Sequence, residues 1–362
     1  MTGSIGGGRA HGARGTLVER ALNVGLALMA GLALAAALAG CGSSPGYPPG
    51  CTMNSGVRPE TKARLESAAG RFYGLLRARL YDRAFDEACE SMRTRDSREQ
   101  MTESWAHLAE VLSIPNELKT EEVVVAVFPP GTRGPQQLDC ADPSDPTGAR
   151  RMLTTDQPYQ AYLIQTGQVA GQTYNFGSVW FYEKGRFPGQ GEWRLSSVGV
   201  RPRLALGQDW AYWHGKAREQ LAKGNARNAA LLYNLTMDLV VPAPWVRPAR
   251  LDSLSREQRR IHTEDLPFGR VLHWKHSTGL EFRPYQATAE IGANGLILML
   301  SYEVAAPVDT ALVAQQAPLL ADFIRTTFPE YPETFHEMGL QATTTVDHVP
   351  VWGGFFPFTP ER

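Results

Sequence analysis

The chain has 362 residues and a formal net charge of −1, with 43% hydrophobic, 9% aromatic and 20% charged residues. This composition excludes an intrinsically disordered chain, which lacks the apolar residues needed for a core, and it does not favour a nucleic-acid-binding protein, which needs a basic surface. The length exceeds that of one average core, so two or three domains are expected.

An uncharged, mostly apolar segment covers residues 21–40, and three arginines precede it. A basic start, an apolar segment and small residues before a cleavage point are typical of a secretory signal. We therefore predict residues 1–40 as a signal peptide and Cys41 as the first residue of the mature chain. Without the signal peptide, 33 basic and 36 acidic residues remain, which gives a net charge of −3.

The end of this segment, Leu38–Cys41, resembles the lipobox of bacterial lipoproteins, in which the cysteine thiol receives a diacylglycerol before cleavage. The resemblance implies that Cys41 is lipidated and holds the protein on a membrane. Because Gly42 is not an inner-membrane retention residue, it implies the outer membrane where two membranes exist. The alternative is an uncleaved transmembrane anchor, since about 20 apolar residues can span a bilayer. The flexible sequence that follows, without a basic cluster, favours the lipoprotein.

Three further cysteines, Cys51, Cys89 and Cys140, would lie in a compartment that permits disulfides. Sequence does not fix their pairing, but Cys89–Cys140 is the expected bridge because Cys51 belongs to a Gly/Ser/Pro-rich segment, residues 41–58, that reads as a flexible tether. The chain contains no zinc-ligand spacing, phosphate loop or other cofactor motif, so neither a metal nor a cofactor is predicted.

Helical spacing of apolar residues over 59–112 predicts three helices, the third capped at Ser97 with Gln100 three residues later. The period then changes to that of strands, interrupted by a long polar loop over residues 131–157. The strands are predicted over residues 123–128, 159–169, 173–184 and 193–200.

Three helices followed by a meander of long strands resemble the nuclear-transport-factor-like cone, the fold of ketosteroid isomerase. Two details carry the resemblance: Tyr81–Phe85 together with Ser97–Gln100 resembles the second and third helices of secreted members, and Trp193–Val200 resembles their last strand. The resemblance implies a cone-like curved antiparallel sheet with N-terminal helices over residues 59–203. The alternative is another α+β sheet with helices on one face.

Residues 209–241 resemble one tetratricopeptide helix pair. Because stable arrays need about three repeats, we expect a single helical hairpin packed on the cone. Residues 242–268, with four prolines and a charged stretch, predict a linker. Residues 269–362 predict a small α+β domain with a β-hairpin, a helix capped by Asp309 and kinked or broken at Pro318, a further strand and an aromatic tail. The predicted fold class is therefore α+β.

The cone resemblance raises the question of a cavity, because family enzymes place an acid–base residue inside an apolar one. The aromatic residues predicted to face inward and to form a candidate pocket are Tyr73, Trp105, Tyr174, Trp180 and Tyr182. Aromatic residues at alternate strand positions are more often plain core. The nearest carboxylates, Asp86 and Glu90, are expected to be exposed, and no catalytic residue is predicted. His273 and His276 have metal-like spacing but would point to opposite faces of a strand.

These observations predict a lipid-anchored envelope protein that acts as a non-enzymatic interaction or ligand-binding module. It would contact the membrane through its N-terminal lipid, and its candidate partner is an envelope protein rather than nucleic acid. The alternatives are a cone-fold enzyme acting on a small apolar molecule and an accessory lipoprotein of an envelope assembly. A cone filled by side chains would favour the module, whereas an open cavity with a buried carboxylate would favour the enzyme.

Overall fold

The computed structural model describes residues 46–129, 132, 136–142, 145–154, 157–184 and 191–358. The predicted signal peptide and Cys41 lie outside the described residues. The chain combines helices with largely antiparallel sheets, which confirms the α+β class. It divides into two compact units: a first unit, residues 46–207 and 238–253, and a second unit, residues 208–237 and 254–358.

The first unit contains helices near its N-terminus and strands after them. Its helices are α1 (Pro59–Arg77), α2 (Tyr81–Asp86), α3 (Glu90–Arg95) and α4 (Arg98–Leu112). Its strands are β1 (Gly50–Met53), β2 (Lys119–Val127), β3 (Gln136–Asp142), β4 (Asp145–Thr154), β5 (Tyr159–Val169), β6 (Gln172–Lys184), β7 (Gly191–Pro202) and β8 (Val246–Pro248).

The second predicted helix is two short helices, α2 and α3, because the segment between them pairs with strand β7. The amide of Cys89 donates to the carbonyl of Leu195 at 2.7 Å, and the amide of Leu195 donates to the carbonyl of Glu87 at 3.0 Å. These bonds replace helical ones at residues 87–89. The predicted cap of α4 is confirmed, since the Ser97 hydroxyl accepts the amide of Gln100 at 3.1 Å.

Strands β1, β2, β5, β6 and β7 form one antiparallel sheet in that order. A smaller antiparallel sheet has the order β3, β4, β8. Strands β3 and β4 fall within residues 131–157, which we had predicted as a loop. Their sequences are polar and contain proline, glycine and aspartate, residues that are depleted in strands and so give little strand signal.

Both faces of the larger sheet are covered within the first unit. Helix α1 packs on one face, where the rings of Tyr73 and Phe176 meet at 5.8 Å between centroids. On the other face, a Cβ at Gly177 would lie 2.8 Å from the Cβ of Ala243 and 3.0 Å from Trp245, so a glycine is needed for this close approach. The segment predicted as a linker, residues 242–268, therefore differs from the prediction: it contributes a covering segment and strand β8 here.

The second unit contains the rest of the chain. Its elements, two of which cross the boundary between the units, are α5 (Trp210–Ala222), α6 (Ala226–Val240), α7 (Ala249–Gln258), β9 (Trp274–Lys275), β10 (Glu281–Ile291), β11 (Leu296–Val304), α8 (Thr310–Thr327), β12 (Glu337–Thr344) and β13 (Pro350–Pro357). The sheet order is β13, β12, β11, β10, β9, with β11 and β12 parallel across α8. Asp309 caps α8 as predicted, whereas Pro318 lies inside a helix that continues past it.

The predicted helical hairpin, residues 209–241, belongs to the second unit up to Met237. This corrects the expectation that the hairpin packs on the first domain. Arg227 of α6 forms ion pairs with Asp265 and with Glu330, and the side-chain amide of Asn228 donates to the carbonyl of Glu330 at 2.6 Å. These contacts link residues about 100 positions apart, beyond what a helical spacing pattern records.

Within the ranges described above, none of the helices has the length and apolar character required to cross a membrane.

Candidate functional site

The helix-facing side of the larger sheet is filled by aromatic side chains. Trp180 and Tyr73 are fully buried, and Trp105 is 2% exposed. The indole N–H of Trp180 donates to the Ser178 hydroxyl at 2.8 Å, so its polar atom is satisfied inside the core. Three of the five residues predicted for a pocket are therefore core residues, and this side of the sheet is filled where the cone resemblance implied a cavity.

The other two predicted pocket residues, Tyr174 and Tyr182, are half-buried. Tyr182 packs edge-on against Trp193 and Tyr159, with ring centroids 5.1 and 6.4 Å away. The five aromatic residues thus do not surround a common space. Tyr73 alone among them also lines the open cleft described below.

Asp86 and Glu90 are exposed, as predicted. The Asp86 carboxylate accepts a hydrogen bond from Arg98 at 2.9 Å, and the Glu90 amide donates to the carboxylate of Glu183 at 3.1 Å. Sequence reasoning did not single out Glu183, which is half-buried in β6; burial is the main cause that raises its pKa. Because the Glu183 carboxylate accepts the first amide of α3, it has a local structural role at that helix end.

The disulfide joins Cys51 to Cys140, with 5.6 Å between the Cα atoms. The predicted Cys89–Cys140 bridge is wrong. Cys51 lies in strand β1, where it pairs with Ala126 of β2, and not in a free tether. Cys89 is a buried free thiol whose Sγ lies 3.2 Å from the Ser91 hydroxyl, and burial raises its pKa.

The described part of the predicted tether, residues 46–58, is folded onto the first unit. Strand β1 pairs along its length with β2. The Arg58 amide donates to the Tyr47 hydroxyl at 2.8 Å, and the Arg58 guanidinium donates to the carbonyl of Gly46 at 2.6 Å. Hence the tether prediction fails for these residues, since a chain with this many specific contacts is ordered.

An open cleft of about 560 Å³ lies between α1 and the segment that leads into β2. Helix α1 contributes Glu66, Gly70, Tyr73 and Arg77, which share one helical face. Residues 116–120 form the opposite wall, and Gln165 of β5 completes the cleft.

Two contacts hold the wall of the cleft in place. The Arg77 guanidinium donates to the carbonyl of Pro115 at 2.6 Å, which ties the end of α1 to this segment. A Cβ at Gly167 of β5 would lie 2.7 Å from Leu118 and 2.8 Å from Pro115, so only glycine lets the segment approach the strand this closely. An isolated glycine inside a strand is a sequence signal for such a close approach, and we had not used it.

Two polar atoms in this cleft are buried without a hydrogen-bond partner among the described residues: the Tyr73 hydroxyl and the Gln165 side-chain oxygen. Tyr73 is fully buried and Gln165 is 5% exposed. The nitrogen of the same Gln165 amide points to the Thr120 hydroxyl at 3.4 Å, which orients the amide group. Burial raises the pKa of Tyr73, so its hydroxyl is neutral and can donate a hydrogen bond.

Charges of both signs surround the cleft in equal number. Glu66 and Glu117 are acidic, whereas Arg77 and Lys119 are basic. Two of the four also have partners outside the cleft lining: Lys62 lies 4.0 Å from Glu66, and Glu121 lies 3.1 Å from Lys119. The lining therefore provides no excess of either charge for an ionic ligand.

His273 and His276, in the second unit, contact different residues. His273 is exposed and pairs with Glu281, whereas the largely buried ring of His276 bonds through Nδ1 to the Thr278 hydroxyl at 2.9 Å. The two rings thus do not act together on one ligand. Over the described ranges, no group of three His, Cys, Asp or Glu side chains is arranged to hold a metal ion.

Comparison of the chain with models of protein families, with curated proteins and with solved structures gives no match.

Proposed function

We propose that this protein is a lipid-anchored protein of the bacterial cell envelope, held on the membrane by a lipid on Cys41, and that it acts as a non-enzymatic binding module. The observation that carries the proposal is the disulfide between Cys51 and Cys140. Disulfides persist in oxidising compartments outside the cytoplasm, which agrees with export directed by the lipobox-like sequence Leu38–Cys41.

The position of the disulfide also suits an anchored protein. Strand β1 starts at Gly50, nine residues after Cys41. An extended chain covers about 3.4 Å per residue, so this segment reaches about 30 Å at most. The disulfide then joins the first strand after this short segment to Cys140, 89 positions further along the chain. Any pull from the anchor would be transmitted to the folded unit by a covalent bond.

The packing of the first unit favours binding over catalysis. The sheet face that would line an enzyme cavity in the cone family is filled by Trp180, Tyr73 and Trp105, and the candidate carboxylates Asp86 and Glu90 are exposed. The antiparallel sheet behind α1 and α4 supports the cone-like fold that we propose for residues 59–203. A filled sheet face leaves ligand or partner contacts to the surface of the unit.

The anchor is tested with Cys41→Ser in cell fractionation, with Cys89→Ser as a control that also removes one thiol. We expect the parent and the control in the membrane fraction, and the Cys41→Ser protein unprocessed or released from membranes. A Cys41→Ser protein that is cut to the same size and stays membrane-bound would contradict the proposal.

Thiol counting tests lipidation and oxidation together. Alkylation of the denatured mature protein is expected to modify one thiol, that of Cys89, before reduction and three after it. A free Cys41 would add one thiol to both counts, and a reduced Cys51–Cys140 pair would make the two counts equal.

A further inference from the structure

We propose that the cleft between α1 and residues 116–120 binds a small, neutral, hydroxyl-rich molecule of the mono- or disaccharide class, with Tyr73 and Gln165 as its hydrogen-bonding residues. The inference names the ligand site of the binding module proposed above and rests on that binding role. It does not depend on the lipid anchor.

The first argument is the pair of buried polar atoms. Buried polar groups in folded proteins almost always have a hydrogen-bond partner, so each exception calls for a reason. Tyr73 and Gln165 come from different elements, α1 and β5, and both line the same cleft. A molecule in the cleft would satisfy both groups at once.

The second argument is the chemistry of these two atoms. The Gln165 oxygen only accepts hydrogen bonds, whereas the Tyr73 hydroxyl both donates and accepts. A ligand hydroxyl can donate to the first and exchange a hydrogen bond with the second. Asn116 and Thr120 add an amide and a hydroxyl to the lining, so the cleft presents several groups suited to a ligand with several hydroxyls.

The third argument is charge and size. Binding sites for phosphates or carboxylates carry an excess of Arg and Lys, whereas this cleft has two acidic and two basic side chains. A neutral ligand meets no net repulsion there and loses no ionic hydration. A volume of about 560 Å³ lies within the range of about 300–1,000 Å³ for small-molecule sites.

The test uses the full-length protein in a polyoxyethylene detergent, which contains no sugar. Calorimetric titration with glucose, N-acetylglucosamine, trehalose and myo-inositol covers sugars and cyclic polyols, and inorganic phosphate serves as the charged probe. We expect saturable binding of at least one neutral compound and none of phosphate.

Two variants locate the binding in the cleft without removing any protein–protein hydrogen bond. Tyr73→Phe deletes only the unpartnered hydroxyl and should weaken binding about tenfold, with no loss of thermal stability. Gly70→Leu should abolish binding, because nothing lies within 4 Å of a Cβ at Gly70 and the larger side chain would enter the cleft. Leucine also favours a helix over glycine, so the variant should fold.

Tyr162→Phe is the matched control. Tyr162 is also a buried tyrosine, but it lies on the opposite face of β5 from Gln165, and its hydroxyl donates to Gln160 at 3.0 Å. This variant should lower the unfolding temperature and leave ligand affinity unchanged, the reverse of Tyr73→Phe.

Three results would overturn the inference: no binding of any neutral compound at millimolar concentration, unchanged affinity in Tyr73→Phe, or phosphate binding that Tyr73→Phe weakens. None of these results alters the fractionation of Cys41→Ser or the thiol count. Failure of the ligand site is therefore distinguishable from failure of the proposed envelope role.

Discussion

Removal of the Cys51–Cys140 disulfide should destabilise the first unit strongly. The bridge spans 89 positions of the chain, and in the chain-entropy model a loop of this length stabilises the folded state by about 4.6 kcal/mol. That is a large part of the 5–15 kcal/mol typical of a domain. At about 1.4 kcal/mol per factor of ten, the unfolding constant should rise by about three orders of magnitude.

Hydrogen exchange measured by mass spectrometry is the suitable assay, because it reports each unit separately. Peptides of β5, whose side chains are almost all buried in the first unit, should lose protection in the Cys51→Ala/Cys140→Ala variant. Peptides of β11, in the second unit, should not. Reduction of the parent protein should reproduce the change.

Cys89→Ala is the control, since it removes a buried sulfur and keeps the bridge. We expect it to cost about 1 kcal/mol, the usual size of a small core truncation. If the double variant protects β5 as well as the parent does, or if Cys89→Ala has the larger effect, the reasoning from loop length is refuted.

Two further predictions concern the second unit. Arg227→Gln should lower its free energy of unfolding by about 1 kcal/mol, because the guanidinium pairs with Asp265 and Glu330; an unchanged thermal transition would speak against a stabilising role of these pairs. The hydrogen bond from His214 is the main cause that lowers the pKa of Glu257, so this carboxylate stabilises the fold above its unfolded pKa and stops doing so as pH falls through its folded pKa. Glu257→Gln should therefore lose less stability than the parent between about pH 5 and pH 3 in urea unfolding, and equal losses would disprove the linkage.

Elements with a strong local pattern could be predicted from the sequence. The bounds of β5, residues 159–169, agree with the prediction because a long strand with β-rich residues and a tight turn is specified locally. The caps at Ser97 and Asp309 follow from the hydrogen-bonding capacity of their own side chains.

Features that depend on distant pairing could not be predicted. Strand β1 has four residues in a segment rich in glycine and proline, and its partner β2 begins at Lys119. A local pattern holds no record of that partner, so Cys51 was placed in a tether and the wrong bridge was expected. The break between α2 and α3 has the same origin, because it follows from pairing with Leu195 of β7.

The cleft was only partly predictable. Tyr73 was expected to line a pocket because of its inward position on α1, but the pocket was placed against Trp180 in the filled core. The observed cleft instead depends on the path of residues 115–118 against Gly167. Gln165, which carries the second unpartnered atom, stood in a strand with no feature that distinguished it from a solvent-facing glutamine.

Strand β2 relates the proposed anchor to the proposed ligand site. Gly50, where β1 begins, pairs with Val127 at one end of β2, whereas Lys119 and Thr120 at the other end line the cleft. Seven or eight residues separate these ends, which is about 25 Å along a strand. A lipid on Cys41 would therefore be attached at the end of β2 remote from the cleft, and the cleft would remain accessible to a molecule dissolved in the surrounding compartment. A water-soluble, hydroxyl-rich ligand agrees with that arrangement, whereas a ligand extracted from the bilayer would need the cleft at the anchored end.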